Sequence, residues 1–191
     1  TINVLDDLEN AAAPALTGPT IELTDTADND TLGNQSGTLS ATDVDGIASY
    51  GITGATTGGS TVISSVTYDL SKAGTYGTLY VVSTGTDKGK YVYVPTSSVI
   101  NALSSNASDT FTVSATDSNA SPLTGTGTLT VNITAANDTP TVTAGTATAT
   151  LVEAGGVANA TTGTAASSCS LTKGDVDGTA SFDTSYLGSN G

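Results

Sequence analysis

The chain of 191 residues has no histidine, methionine, tryptophan or arginine, and only one cysteine, two phenylalanines and four basic side chains. Each absence removes a class of function. Without histidine, the side chain that ordinarily serves as general base or metal ligand near neutral pH is missing. Cys169 has no second cysteine for an internal disulfide and no histidine to activate it, so it is expected as a small buried hydrophobe. Four lysines against 18 acids give a net charge of −14 and a pI of about 4.1. Such a chain has no cationic surface to neutralise phosphates, which excludes nucleic acid and anionic membrane surfaces as partners. No run of about 18 apolar residues exists, so no membrane insertion is expected. No nucleotide-binding loop, nucleophile elbow or acid pair with a general-acid role is present, so no enzyme is expected. The opening Thr1-Ile2-Asn3-Val4 carries neither an initiator methionine nor a signal peptide, which suggests a piece of something longer.

What is present points to a folded all-β protein. Charged residues are only 12% of the chain, far from the highly charged signature of disorder. Thr and Val favour a pleated, half-buried surface, and 22 glycines with many Asn and Asp residues supply turns. Alternation of period two runs through Ser36 to Thr42, Val62 to Tyr68, Tyr76 to Val82, Lys90 to Val94, Thr110 to Ala115 and Thr126 to Ile133. Asp87-Lys88-Gly89 predicts a hairpin turn with Gly89 left-handed. A short helix is expected over Ser98 to Leu103, with Val99, Ile100 and Leu103 on one face. Leu39, Tyr50, Leu79, Phe111, Val113, Leu129 and Val131 are the expected core, with most of the tyrosines packed among them. Many short strands with regular turns imply an antiparallel sandwich.

The acids are fifteen Asp and three Glu, and Asp is a turn former and a hard-cation ligand. They sit in a repeat. Leu39, Asp43, Asp45, Gly46 and Tyr50 match Leu171, Asp175, Asp177, Gly178 and Phe182, offset by 132 positions (175 − 43). Glu22 and Glu153 precede these motifs by 21 (43 − 22) and 22 (175 − 153) residues. Thr1-Ile2-Asn3-Val4 matches Thr130-Val131-Asn132-Ile133, and Asn10 to Pro14 matches Asn137 to Pro140. The expected organisation is a terminal strand and linker over 1–14, a complete sandwich over 15–137, and the first part of another over 138–191.

Asp43-Val44-Asp45-Gly46, Tyr76-Gly77-Thr78-Leu79, Tyr91-Val92-Tyr93, Asp109 to Asp117 and Asn137-Asp138-Thr139-Pro140, taken in order, resemble the VCBS repeat. That family forms cadherin-like, immunoglobulin-type sandwiches in very large bacterial surface and biofilm adhesins. The resemblance covers the complete repeat and both flanking pieces, and it implies calcium between successive domains. Asn10-Ala11-Ala12-Ala13-Pro14 departs from the pattern by lacking the acid of Asn137-Asp138; Asp6, Asp7 and Glu9 stand nearby as replacements.

A case for calcium also follows from the residues. Asp43 and Asp45, two apart in an extended segment, would hold carboxylates on one side about 6–7 Å apart, where a cation between them relieves their repulsion. Calcium accepts six to eight oxygens in loose geometry. Glu22, Asp117, Asn119, Asn137 and Asp138 are placed to converge at one pole, and Glu153, Asp175 and Asp177 repeat the set. No soft ligand favours zinc or copper. Against this stands the plain alternative that each Asp caps its own turn, the expectation for Asp25, Asp28, Asp30, Asp69 and Asp183 as solvated loop acids. The expected function is a calcium-stiffened spacer on the cell surface or in a secreted matrix, with neighbouring repeats of the same chain as partners. Two alternatives are a filament or surface-layer subunit that self-associates by strand complementation, and a glycan- or ice-binding module using the tyrosines or the Thr-x-Thr runs.

Overall fold

The computed structural model describes residues 12–146, 152–155, 160, 162–163 and 168–183. The chain divides into two compact units, with the boundary between Ala136 and Asn137. Unit 1 contains β1 (Ala15–Thr17), β2 (Thr20–Thr24), β3 (Gln35–Thr38), β4 (Ser40–Thr42), β5 (Ile47–Ile52), β6 (Thr61–Ile63), β7 (Val66–Tyr68), β8 (Leu70–Ala73), β9 (Gly77–Val81), β10 (Lys90–Pro95), α1 (Ser97–Ile100), β11 (Ala107–Asp117) and β12 (Thr124–Thr134). Unit 2 contains β13 (Thr141–Ala144) and β14 (Leu171–Gly174). Among the described residues no helix is long and apolar enough to cross a membrane.

Unit 1 is an all-β sandwich. One sheet has the order β2-β12-β11-β5 and the other β3-β10-β9-β8, with β1 and β4 paired beside them. Pairing is antiparallel except for β2, which runs parallel to β12 with Glu22 opposite Asn132. Alternation along β11 and β12 points Phe111, Val113, Ala115, Leu129, Val131 and Ile133 inward, where they meet Leu79, Val81, Tyr91 and Tyr93 of the facing sheet. All seven expected core residues are buried. Tyr50, Tyr68, Tyr91 and Tyr93 are buried as well, and Tyr76 and Tyr80 are half-buried.

Three local expectations are corrected. The run from Ser36 to Thr42 is two strands: β3 pairs with β10 and β4 pairs with β1. The chain changes sheet at Leu39, which is buried and donates its N–H to the Gly89 carbonyl. Period-two alternation continues across such a pivot, so the sequence conceals it. Val62 to Tyr68 is likewise a hairpin, β6 with β7, whose turn residues Ser64 and Ser65 have φ of 49° and 66°. Two serines there are an unusual choice, since left-handed turn positions favour Gly, Asn and Asp. This hairpin lies outside the main core, where Tyr68 joins Val82 and Val92 in a second apolar cluster. Finally, α1 is a single turn that buries Ile100 and leaves Val99 exposed. Adjacent helical positions diverge by about 100°, so one turn cannot bury both. The Asp87-Lys88-Gly89 hairpin stands as expected, with Gly89 at φ 81°.

The repeat is visible in the strand register. In unit 1, Ala15 lies opposite Thr42; in unit 2, Thr141 lies opposite Gly174. Each Asp-x-Asp-Gly loop therefore leaves its strand at the same rung of a matching ladder. Cys169 is exposed rather than buried. It adjoins β14, whose four residues are all exposed, and among the described residues no apolar layer covers that stretch.

Candidate metal sites

Each acid is best placed by the end of the sandwich it occupies. Unit 1 has an entry end, where Pro14 abuts Gly125, and an exit end, where Asp25 donates its N–H to the Thr134 carbonyl. At the entry end the β4–β5 loop and the loop after β11 come together. The loop following Thr42 is a turn rather than an extended segment. Asp43 Oδ1 accepts the Asp45 N–H at 3.0 Å, and the Gly46 N–H reaches the Asp43 carbonyl at 3.3 Å. Gly46 takes φ 80°, the left-handed position that closes the turn. The expectation of two carboxylates side by side on a strand is corrected for this reason: Asp43 caps its own turn.

Asp117 closes the neighbouring loop in the same manner. It is 1% exposed and accepts the backbone N–H groups of Asn119 and Leu123, each at 3.1 Å. Ser118 N–H bonds to the Gly46 carbonyl, and Asn119 Nδ2 donates to Asp45 Oδ2 at 3.1 Å. Asp43, Asp45, Asp117 and Asn119 thus form one hydrogen-bonded group across two loops.

Glu22 does not join them. It is exposed on β2 and accepts a 2.8 Å hydrogen bond from Asn132 Nδ2. Thr124, at the Asp117 end of β12, is eight residues from Asn132, or about 26 Å at the strand rise. Convergence of the unit 1 acids at one pole is therefore corrected to two separate ends. The cause is topological, because β2 pairs with the far half of the long strand β12.

Asp25 was expected as a solvated loop acid, yet it is 3% exposed at the exit end. Its Oδ2 accepts the Ala136 N–H at 3.5 Å, whereas Oδ1 is buried without a hydrogen-bond partner among the described residues. Nothing in the sequence around Asp25 separates it from Asp28 or Asp30; only the alternation of β2, continued to Asp25, carries a signal. Asp69 is also bound, accepting the N–H of Ser83 at 2.8 Å and its hydroxyl. Partial burial raises its pKa, but the Ser83 donors prevail and hold it below the ordinary value.

In unit 2, Asn137 and Asp138 precede β13, and Asp175 and Asp177 follow β14 at the same end of the ladder. Asp138 is buried. Asp175 Oδ1 and Asp177 Oδ1 are shielded from water and accept no hydrogen bond among the described residues. The Asp175 carboxyl is pushed above the ordinary range, first by loss of solvent and then by hydrogen bonding to, and repulsion from, Asp177. Glu153 is exposed. Asp6, Asp7, Glu9 and Asn10 lie outside the described residues.

The donor set is hard oxygen throughout, the kind that calcium accepts, and Oδ1 of Asp25, Asp175 and Asp177 is shielded without a hydrogen-bond partner among the described residues. Among the described residues, however, no three carboxylates stand close enough to hold a metal on their own. The carbohydrate alternative loses its aromatic platform, because four of its tyrosines are buried in apolar clusters. Thr124, Thr126 and Thr128 face solvent; Thr148 and Thr150 of the other run lie outside the described residues. In comparisons with known proteins, the chain matches no family model and no curated protein.

Proposed function

We propose that the chain is part of a calcium-stiffened structural spacer: tandem sandwich repeats of the VCBS, cadherin-like kind from a long extracellular bacterial adhesin or biofilm-matrix protein. Calcium is the cofactor, and neighbouring repeats of the same chain are the partners. One observation carries the reading. The Asp-x-Asp-Gly loop leaves the same rung of two matching strand ladders, and in the second copy the two half-buried aspartates repel each other and each keeps an Oδ1 that is shielded from water and has no hydrogen-bond partner among the described residues. A carboxylate oxygen cut off from water without a hydrogen bond is costly, and a divalent cation relieves both that loss and the repulsion between the two aspartates. Asp25 presents the same unmet demand at the exit end of unit 1. Asp43 and Asp117 already cap turns, so their part is to keep the loops in shape while Asp45 and Asn119 offer outward oxygens.

Extracellular calcium modules work with Kd values of about 10⁻⁴ to 10⁻³ M. Ion at about ten times Kd adds roughly 1.4 kcal/mol per site. At a net charge of −14, the ion-free chain also repels itself. Thermal unfolding and small-angle scattering with calcium, and again after chelation, test the proposal. Chelation is expected to lower the melting temperature and alter the maximum dimension. Unchanged curves in both measurements would remove calcium, and the stiffening role with it.

A further inference from the structure

Beside the β6–β7 hairpin, unit 1 has a groove that belongs neither to the main core nor to the acid loops. It measures about 390 Å³ and is lined by that hairpin together with β3 and β10, a size in the range of small-molecule sites. Val66, Tyr68 and Val92 form its more buried side, while Asn34, Ser36, Thr38 and Ser64 line it from the exposed side.

Two features of this groove are not explained by packing. Tyr68 and Tyr91 line it and are only 5% and 7% exposed. A buried tyrosine usually pairs its hydroxyl, as Tyr93 does with Asp109, yet neither of these hydroxyls has a hydrogen-bond partner among the described residues. Gly37, the register partner of Tyr91, makes room for one of them: a Cβ there would stand 2.5 Å from the Tyr91 hydroxyl. The second feature is the Ser64-Ser65 turn, with φ of 49° and 66°, where Asn-Gly would be relaxed. Strain of this kind clusters at ligand sites, and Ser64 lines the groove.

Charge sets the class of ligand. No acid lines the groove, so nothing there holds a cation. Its one lysine, Lys90, is paired with Asp87 Oδ1 at 2.7 Å, and a chain of net charge −14 repels anions. The ligand is therefore neutral. Hydroxyl and amide groups both donate and accept hydrogen bonds, and here they stand over an apolar side. A sugar ring has the complementary make-up, with hydroxyls around its edge and an apolar C–H face.

We propose that the groove between the β6–β7 hairpin and strands β3 and β10 binds a neutral saccharide. The hydroxyls of Thr38, Ser64, Tyr68 and Tyr91 bond to those of the sugar, and Val66 and Val92 lie beneath its C–H face. The tyrosine rings are covered and give no stacking platform; they contribute their hydroxyls. No metal takes part, so the inference stands apart from the calcium proposal.

Isothermal titration of the full chain with maltose, cellobiose, lactose and diacetylchitobiose tests it, with digalacturonic acid as the anionic control, in calcium and again in chelator. At least one neutral disaccharide is expected to bind saturably, equally in both buffers and more tightly than the control. Tyr68→Phe/Tyr91→Phe removes two hydroxyls that bond to nothing in the fold. Affinity should then fall about tenfold, the worth of two ordinary hydrogen bonds, with the melting temperature held. Thr38→Trp, an exposed change on β3, should block the groove and serves as the second variant should the tyrosine pair fail to fold. Absence of binding by all four sugars overturns the proposal, as does tighter binding of digalacturonic acid. Binding that is lost on chelation, or unmoved by these substitutions in folded protein, also overturns it.

Discussion

The Tyr93 hydroxyl donates a 2.7 Å hydrogen bond to Asp109 Oδ2, joining β10 of one sheet to β11 of the other inside the sandwich. Asp109 also accepts the N–H of Thr75 on Oδ1 at 2.8 Å and that of Tyr76 on Oδ2 at 3.0 Å. One carboxylate thus ties the β8–β9 turn and both sheets together. The Tyr93 ring meets Phe111 edge to face, with centroids 6.1 Å apart. A buried network of this kind specifies one arrangement when every member is satisfied.

Removing either member should therefore be costly. Tyr93→Phe is expected to lose about 1–3 kcal/mol, the penalty for stripping a partner from a buried polar group. Asp109→Ala should lose more, because it also strands two backbone donors. Urea unfolding of unit 1 measures both; a loss for Asp109→Ala no larger than for Tyr93→Phe would count against the network.

Alkaline pH should destabilise the protein. Burial, then the hydrogen bond and charge of Asp109, hold the Tyr93 pKa far above its ordinary value of 10.0. Burial also raises Tyr91 and, less its attraction to Lys90, Tyr68. Above that ordinary value the unfolded chain loses protons that the native state keeps, so stability falls as pH rises, at a limiting slope of about 1.4 kcal/mol per pH unit for Tyr93, with Tyr91 and Tyr68 acting in the same direction. Unfolding free energies measured across this range should show a shallower slope in Tyr93→Phe. An identical slope would mean that Tyr93 is not held protonated.

Leu39 and Leu171 occupy the same repeat position but differ in environment. Leu39→Ala should cost about 2–5 kcal/mol as a buried truncation. Leu171→Ala should stay within about 0.5 kcal/mol, as an exposed change. Comparable losses from the two variants at low concentration would show that the unit 2 face is covered.

Calcium affinity in unit 2 should rise with pH. The raised pKa of Asp175 means that the ion-free native state binds a proton more readily than the unfolded chain. Without metal, stability therefore declines as pH climbs from the ordinary carboxylate value through the raised one, and calcium must displace that proton over the same window. Isothermal titration at acid and neutral pH should show weaker binding in acid, and Asp175→Asn should both weaken binding and flatten the pH dependence. Binding indifferent to pH would exclude Asp175 as a ligand.

The Ser64-Ser65 turn offers a stabilising change. Both residues have positive φ, so Ser64→Asn with Ser65→Gly should raise stability by about 0.4–1 kcal/mol. A lower melting temperature would show that these hydroxyls make contacts the turn needs.

Alternation and turn chemistry settled much of this protein in advance: the all-β sandwich, β9 to β12, the Gly89 hairpin, seven core residues and the repeat itself. Side chains on a strand alternate faces, so a buried face writes itself into the chain at period two. The Asp-x-Asp-Gly recurrence was equally legible, since turns select Asp and Gly locally. Tertiary structure decided what alternation cannot encode. It split β3 from β4 at Leu39, because a pivot between sheets preserves the pattern. It separated Glu22 from Asp43, because parallel pairing with β12 sets which end of a long strand an acid occupies. It also buried Asp25 and exposed Cys169, because burial depends on the layer a distant segment lays over a residue.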